Sequence, residues 1–443
     1  MSAQSPVDYV LHTVEERGLR FVRLWFTDVL GRLKGFAITP AELEGALEEG
    51  MTFDGSAIEG YSRVQESDML AVPDPNTFEI VPWRGDDAPA ARMFCDIRHL
   101  SGEPFSGDPR YVLKRNLDRA REKGFTFFAG PEIEYFYFTS ATEPEPLDHA
   151  GFFDLTHTDD ANELRKRTIL TLEAMGIPVE YSFHENGPSQ HEIDLRYTDA
   201  LTMADNVQTF RTVVKQVASE LGVHATFMPK PIAGAFGSGM HTHLSLFEGD
   251  INAFHDPGDV HGLSKVGKAF VAGLLRHARE ITAVTNQTVN SYKRLIEGYE
   301  APTYICWARN NESALVRVPI PKRGKESSTR VEFRSPDPAC NPYLAFSVML
   351  AAGLAGIEEG YDLAPEATNN IFEMTAEERT VEGIAALPQS LAEAVDVMER
   401  SELTAEALGE HVFDYFIRNK RAEWDAYKEQ VTPWEVDRYL GSL

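Results

Sequence analysis

Gly130-Pro-Glu-Ile-Glu-Tyr-Phe-Tyr-Phe138 places two carboxylates two residues apart in a run that is otherwise apolar and aromatic. That composition predicts a strand. Alternate side chains of a strand share a face, so Glu132 and Glu134 stand side by side, with Phe136 and Phe138 continuing their face. Two carboxylates on one half-buried face repel each other and lose hydration, and they stay ionised there when something positive lies between them. A metal ion meets that need. A wet strand end with two solvated acids is the alternative, and the pair alone leaves both open.

Three further stretches share the pattern. In Met240-His-Thr-His-Leu-Ser-Leu-Phe247 the period of two puts His241, His243 and Ser245 on one face and Thr242, Leu244 and Leu246 on the other. In Arg330-Val-Glu-Phe-Arg334 it aligns Arg330, Glu332 and Arg334 opposite Val331 and Phe333. In His184-Glu-Asn-Gly-Pro-Ser-Gln-His-Glu192 two acids bracket a Gly-Pro turn that can return both to one place. Four such faces carry five Glu, two His and two Arg among large apolar residues, which predicts one shared site. Mainly carboxylate oxygens with one imidazole suit Mg²⁺ or Mn²⁺ better than Zn²⁺, and six ligands fit two ions. Two divalent ions beside arginines are the usual apparatus for stabilising a transferring phosphoryl group, so ATP is the expected substrate, although the chain has neither a Walker A nor a Rossmann fingerprint.

The rest of the composition bounds the setting. At 443 residues with 43% hydrophobic residues, the chain can fill the cores of two or more domains. A formal charge of −27 argues against nucleic acid or an anionic membrane as main partner. Cys95, Cys306 and Cys340 are odd in number and form no Cys-x-x-Cys, so neither a disulfide framework nor a zinc cluster is implied and a reducing cytoplasm fits. The longest apolar run, Tyr343 to Ile357, is too short and too interrupted by glycine to span a bilayer.

Along the chain, Ser5-Pro6 opens a helix stopped by Gly18, Phe21 to Thr27 and Lys34 to Ile38 read as strands about the turn at Gly31, and Thr39-Pro-Ala-Glu42 reads as a capping box. Rising Gly, Pro and Ser content between Ser101 and Asp108 marks a boundary, giving domains 1–104 and 105–443. Beyond it, helices expected over 109–123, 159–175 and 201–221 alternate with strands at 130–138, 179–183 and 191–197, an α+β rhythm. Residues 228–240 read as irregular, and from Ala386 onward an acidic helical pattern reads as a solvated outer layer.

Asp54-Gly-Ser, Gly-Pro-Glu132-Ile-Glu134, Phe-Met-Pro-Lys-Pro231, Gly-Ser-Gly-Met-His241, Asn290-Ser-Tyr-Lys-Arg-Leu295, Gly-Tyr-Glu300-Ala-Pro and Arg330-Val-Glu-Phe-Arg-Ser-Pro-Asp-Pro338 together resemble type I glutamine synthetases over nearly the whole chain. The resemblance implies a small β-grasp N-terminal domain, a larger catalytic domain with a curved antiparallel sheet, and a cytoplasmic dodecamer whose active sites lie between neighbouring subunits, the loop of Asp54 coming from the neighbour. It implies two or more Mg²⁺ or Mn²⁺ per site, one held by Glu134, Glu185 and Glu192 and one by Glu132, His241 and Glu332. It assigns nucleotide contacts to Glu180, His243, Ser245, Arg317 and Arg330, and glutamate contacts to Glu134, Gly237, His241, Arg294 and Arg334. Asp54, Arg294 and Glu300 are the implied catalytic residues. The implied reaction transfers the γ-phosphoryl of ATP to the γ-carboxylate of L-glutamate, and a nitrogen nucleophile then displaces the phosphate while Glu300 shields the intermediate.

Departures from the family pattern bear on that nucleophile. Ala57 stands where the ammonia-using enzymes have Ser, and Phe152 where they have Tyr, so two hydroxyls are missing from a pocket that Asp54, Glu185, Glu300 and Glu312 would complete. Phe236 replaces an Asn, and Glu312 replaces a phosphate-facing Arg for which Arg309 or Arg317 can compensate. The expectation is therefore an ATP-dependent glutamate–amine ligase with an organic amine as favoured nucleophile. A glutamine synthetase using ammonia and a catalytically inactive paralogue are the alternatives. The tyrosine that some type I enzymes adenylylate aligns with Phe372, which has no hydroxyl. Protein from its native host is expected to show no AMP adduct there by mass spectrometry, and an AMP-bearing peptide covering Phe372 would contradict the alignment.

Overall fold

The computed structural model describes every residue except 1–4, 57, 62–67, 85–87, 156–158, 312, 326–327 and 370. Ala57 and Glu312 thus lie outside the described residues. The chain opens with α1 (Pro6–Glu16), where the Ser5 side chain accepts from the Asp8 N–H and Pro6 occupies the first turn. Next come β1 (Phe21–Thr27), β2 (Leu33–Ile38), α2 (Leu43–Glu49), β3 (Met51–Asp54), β4 (Asp68–Pro73), β5 (Glu79–Val81) and β6 (Ala90–His99). They form a sheet of order β2-β1-β6-β4-β3, with β5 also on β6, in which β1 and β6 run parallel and the other pairs antiparallel. This is the small mixed β-grasp sheet expected from the sequence. The capping box at Thr39 is a correction. Thr39 makes no side-chain cap, because Pro40–Glu42 tighten into one 3₁₀ turn that runs straight into α2. Complete boxes form instead at Thr375 with Glu378 and at Thr432 with Glu435.

The second part of the chain contributes α3 (Pro109–Glu122), β7 (Thr126–Phe138), α4 (Asp159–Ala174), β8 (Val179–His184), β9 (Gln190–Leu195), β10 (Thr198–Asp199), α5 (Ala200–Glu220), β11 (His224–Thr226), β12 (Met240–Glu248), β13 (Ile251–Asn252), α6 (Lys265–Thr285), α7 (Ser291–Arg294), β14 (Trp307–Ala308), β15 (Val316–Arg317), β16 (Val331–Phe333) and α8 (Pro342–Glu359). Its sheet has the order β14-β15-β16-β12-β7-β9-β8, with β10 and β11 added to β7 and β13 to β12. All pairs are antiparallel except β14 with β15. The central strand β7 turns Phe127, Ala129, Ile133, Tyr135 and Tyr137 into the main core, where α3 and α5 pack on the strand, Phe270 of α6 meets Phe127, and α8 packs on α3, α5 and α6. The apolar run noted in the sequence becomes α8, buried almost throughout, as expected of a helix without a polar face. Among the described residues no helix is long and apolar enough to cross a membrane. Helices α6 and α8 cross closely because Gly273 and Gly356 lack a Cβ; one added at Gly273 would meet the Ala352 carbonyl oxygen at 2.1 Å.

The C-terminal helices are α9 (Ala376–Val381), α10 (Leu391–Met398), α11 (Glu402–Leu408), α12 (Glu410–Lys428) and α13 (Pro433–Tyr439). The expectation of a solvated outer layer holds for only one of their faces. Leu391, Val395, Met398, Leu408, Val412 and Phe416 join the main core, so an acidic exterior here covers an apolar interior.

The turn after β1 docks onto the catalytic part through three amides. Gln208 donates to the Gly31 carbonyl, Gln287 to that of Leu30, and Asn341 to those of Asp28 and Val29, at 2.9–3.1 Å. Gly31 has φ +82°, and a Cβ there would meet the Asn341 Cα at 2.9 Å, so the approach requires glycine. Nearby, Arg110 of α3 joins Asp74, just past the end of β4, and Asp96 of β6 to Asp205 of α5. Asn341 also caps α8, accepting from the Tyr343 and Leu344 N–H groups. Asn341→Ala removes the cap and both donors at once, and about 2 kcal/mol of stability is expected to go with them. Denaturant unfolding checks this; a loss below about 0.5 kcal/mol, the scale of a neutral surface change, would show the joint to be redundant.

Candidate active site

Strand register assembles the site. β12 pairs with β7 so that His241 faces Glu132 across the strands, and β12 pairs with β16 so that His243 faces Glu332. On the other side β9 pairs with β7, setting Glu192 opposite Glu134 and Asp194 opposite Glu132. β15 adds Arg317 opposite Glu332. Because opposed side chains project to the same face, five strands deliver five carboxylates, two imidazoles and an arginine to one surface. The turn between β8 and β9 returns Glu185 to the same place, as the Gly-Pro turn predicts.

Hydrogen bonds hold these groups. Glu134 Oε2 accepts from the Gly239 N–H at 3.0 Å and from Gln190 Nε2 at 2.9 Å. Glu132 Oε1 lies 2.7 Å from His243 Nε2, and Arg330 Nε donates to His243 Nδ1 at 3.0 Å. Glu332 is fully buried and pairs with both Arg317 and Arg334. Arg294 donates to the backbone carbonyls of Ser335, Pro336 and Arg334, which lock its guanidinium 3.5 Å from His241 Nε2.

Charge divides the site in two. Burial and the neighbouring Glu185 push the Glu134 carboxyl up to about 8. Burial together with Asp194, Glu134, Glu132 and Glu185 pushes Glu192 well up, and Glu185 and Asp194 rise as well, Asp194 to about 7. Glu132 and Glu332 behave oppositely: burial would raise them, but His243 beside Glu132 and Arg334 beside Glu332 hold them down. Burial and Arg334 lower His241 to about 4, leaving a neutral imidazole with a lone pair to offer. Glu134, Glu185 and Glu192 crowd together, Arg294 and Arg334 offset only part of the burial and repulsion at Glu134, and the three suit a divalent cation. Ligand atoms of Glu132, His241 and Glu332 lie within 4.8 Å of one another, close enough to share another. Both donor sets therefore fit hard divalent ions.

Two cavities meet at this surface. One, of about 240 Å³, is lined by Glu132, Glu134, Glu185, Glu192 and His241 together with Gly237, Arg294, Arg317, Arg334, Phe152 and Glu300, while the buried Glu332 sits behind its wall. The other, of about 440 Å³, carries Glu180, His243, Ser245 and Arg330, and Glu132 and Tyr181 line both. The structure thus brings together most of the residues expected from the sequence. Arg317 is an exception to its expected grouping: it lines the first cavity, drawn there by Glu332, rather than the one holding the other nucleotide candidates. Asp54 is exposed at the end of β3, where its carboxylate accepts from the Ser56 N–H, and lines neither cavity of its own chain.

Sequence reasoning missed Tyr181, Phe183, Gln190 and Asp194. The period of two would have found them, since Tyr181 and Phe183 lead along β8 to Glu185, and Gln190 and Asp194 flank Glu192 on β9. Phe153 was missed as well; with φ 59° its ring packs tilted against Phe152 at 4.0 Å and Phe183 at 4.8 Å, and no local pattern signals that. Tyr299 lies under Lys230 Nζ at 3.7 Å and edge-on to Phe236 at 5.9 Å, which ties down the segment carrying Glu300.

Comparison with known proteins agrees with this geometry. Residues 106–439 match the family described as "Glutamine synthetase, catalytic domain", and residues 18–99 match "Glutamine synthetase, beta-Grasp domain". The chain is similar to a protein named glutamine synthetase from Mycolicibacterium smegmatis, 59% identical over 98% of both chains. A glutamine synthetase from Thermotoga maritima is 48% identical over 98% of this chain and 99% of its own. A solved structure described as "GmaS/ADP complex-Conformation 1" superposes with a TM-score of 0.88 at 34% identity, covering 97% of this chain and 99% of that one. The chain therefore belongs to the glutamine synthetase family of ATP-dependent glutamate ligases.

Proposed function

We propose that this ligase joins the γ-carboxylate of L-glutamate to an organic amine, converting ATP to ADP and phosphate. The observation that carries the reading is the composition of the smaller cavity, where Glu185 and Glu300 share the lining with the rings of Phe152, Phe153 and Phe183. Acids suit a protonated nitrogen, and the aromatic wall suits the carbon attached to it. Mg²⁺ or Mn²⁺, held by Glu134, Glu185 and Glu192 and by Glu132, His241 and Glu332, would supply the positive charge that steadies the transferring phosphoryl group. Glu180, His243, Ser245 and Arg330 take ATP in the larger cavity, with its γ-phosphate directed past Glu132. Gly237, Arg294 and Arg334 take glutamate in the smaller one, where arginine forks match carboxylates.

A γ-carboxylate oxygen of glutamate attacks the γ-phosphorus and ADP leaves. The protonated amine gives one proton to Glu185 or Glu300, its nitrogen attacks the acyl carbon, and phosphate leaves taking the second N–H proton as hydrogen phosphate. Asn186 Nδ2 donates to Glu300 Oε2 at 3.1 Å, bridging the hairpin of Glu185 to the Glu300 segment that keeps water from the acyl phosphate. The exposed position of Asp54 supports a homo-oligomer, a dodecamer by family resemblance, in which Asp54 completes a neighbouring copy's amine pocket. We place the domain boundary at 104/105, between β6 and α3.

Ammonia as nucleophile is the second reading, favoured by relatives named glutamine synthetase at 59% and 58% identity. The assay that separates them follows ADP release with ATP, glutamate and a panel of ammonium, ethanolamine, small alkylamines and polyamines. An inactive paralogue is disfavoured, because six costly ligands converge on one face.

A further inference from the structure

Behind the metal-ligand hairpin lies a buried polar cluster of Asp148, His184, His191 and Arg165 that no step of the reaction uses. Asp148 is its hub, with a side chain only 7% exposed. Its Oδ1 accepts from the Ser189 N–H at 3.2 Å and the Ala150 N–H at 3.1 Å, and lies 2.8 Å from His184 Nε2. Its backbone N–H donates to Ser189 Oγ at 2.8 Å, so Ser189 is gripped through main chain and side chain together. Ser189 needs that grip: at φ 54° it holds a left-handed conformation that a non-glycine residue keeps only when its surroundings impose it. The residue after it is Gln190, which supports Glu134, and two further on is Glu192.

The same hub reaches the other side of the cavity. His184 Nδ1 lies 2.7 Å from the Glu185 carbonyl oxygen, so the ring faces an acceptor at each nitrogen and bridges Asp148 to the main chain of a metal-ligand candidate. The His184 carbonyl in turn accepts from the Phe153 N–H at 3.0 Å, while Ala150 is held directly by Asp148. The loop that presents Phe152 and the hairpin that presents Glu185 and Glu192 thus share one support.

Asp148, His184 and His191 also come within metal-ligand distance of one another, but their chemistry is wrong for an ion. Arg165 Nη1 lies 2.7 Å from His191 Nδ1 and can only donate, so His191 carries its proton on Nε2 and has no lone pair there; both nitrogens of His184 are already engaged.

We propose that Asp148 is a positioning residue that couples the amine pocket to the cation held by Glu134, Glu185 and Glu192. The inference rests on the ligand assignment made above, and the test separates the two. Mn²⁺ binding to the full-length protein is followed by electron paramagnetic resonance. The wild type is expected to show two classes of ion, and Asp148→Ala to weaken one of them about tenfold or more, the size typical of lost outer-shell support, while leaving the other within about twofold. In the same variant KM for the amine rises more than KM for ATP. Asp148→Asn, whose amide oxygen can take the place of Oδ1 and accept from Ser189, Ala150 and His184 alike, is expected to restore both. Should Asp148→Ala fail to fold, Ser189→Ala carries the test, with a weakening of the same class by about threefold expected from one lost hydrogen bond. Equal loss from both classes, or no loss from either, overturns the coupling. A single class in the wild type overturns the ligand assignment itself, and the coupling with it.

Discussion

Glu134→Ala is expected to reduce turnover by about a thousandfold or more, to the background of the assay. Glu134 is central to the crowded acids: it faces Glu192 across the β7–β9 pair, lies 3.9 Å from His241 and is aimed by the Gly239 N–H and Gln190. Removing it takes a charge from a proposed metal position and leaves two buried donors without their acceptor. Glu134→Gln separates these effects. Both donors bond to the same oxygen, so a glutamine can keep them while losing the charge. If charge is what matters, Gln is as inactive as Ala yet close to wild type in thermal stability. Wild type in excess chelator should match the variants. Turnover within tenfold of wild type in Glu134→Ala, or full turnover in chelator, would refute the metal reading.

Much of this centre was legible in the sequence, because a strand's period of two is a local property. Glu132 with Glu134, His241 with His243, and Glu332 with Arg334 could each be placed on one face from spacing alone. Register is not local. Nothing in residues 126–138 says that Glu134 will lie opposite Glu192 rather than Gln190, and the pairing is set by how Ile133, Tyr135 and Ile193 pack into the core beneath. The Thr39 reading failed for a related reason: Thr-x-x-Glu specifies a box only if the chain enters an α-helix there, and the packing of Leu43 and Ala46 starts the helix one turn later. Asp148 was invisible because its partners at 184 and 189 are brought to it by the hairpin. The run at 343–357 shows the converse, since its lack of a polar face already said that other helices must surround it.

An organic amine is expected to exceed ammonium in kcat/KM by about a hundredfold, the product of two lost acceptors at roughly 1–1.5 kcal/mol each. Ammonium is small and strongly hydrated, and a site for it must replace the water shell with oxygens on several sides. Ala57 and Phe152 each remove a hydroxyl that the ammonia-using pattern supplies. At Phe152 the structure shows what takes its place: the ring packs tilted on Phe153 and meets Phe183 edge-on at 5.6 Å, forming an apolar wall against which methylenes gain about 0.8 kcal/mol each on burial. The acids of the same cavity would still attract the nitrogen, so on the proposed reading the pocket discriminates by what is attached to it. The comparison is made at fixed pH, with kcat/KM for ammonium set against each amine, in the wild type and in a double variant carrying Ala57→Ser and Phe152→Tyr. The double variant should gain about tenfold toward ammonium, since a returned hydroxyl recovers its bond only where the neighbouring rings allow it to point inward. Should ammonium equal or exceed every amine tested, and should the two hydroxyls bring no gain, the nucleophile is ammonia, and water molecules stand where the hydroxyls would be.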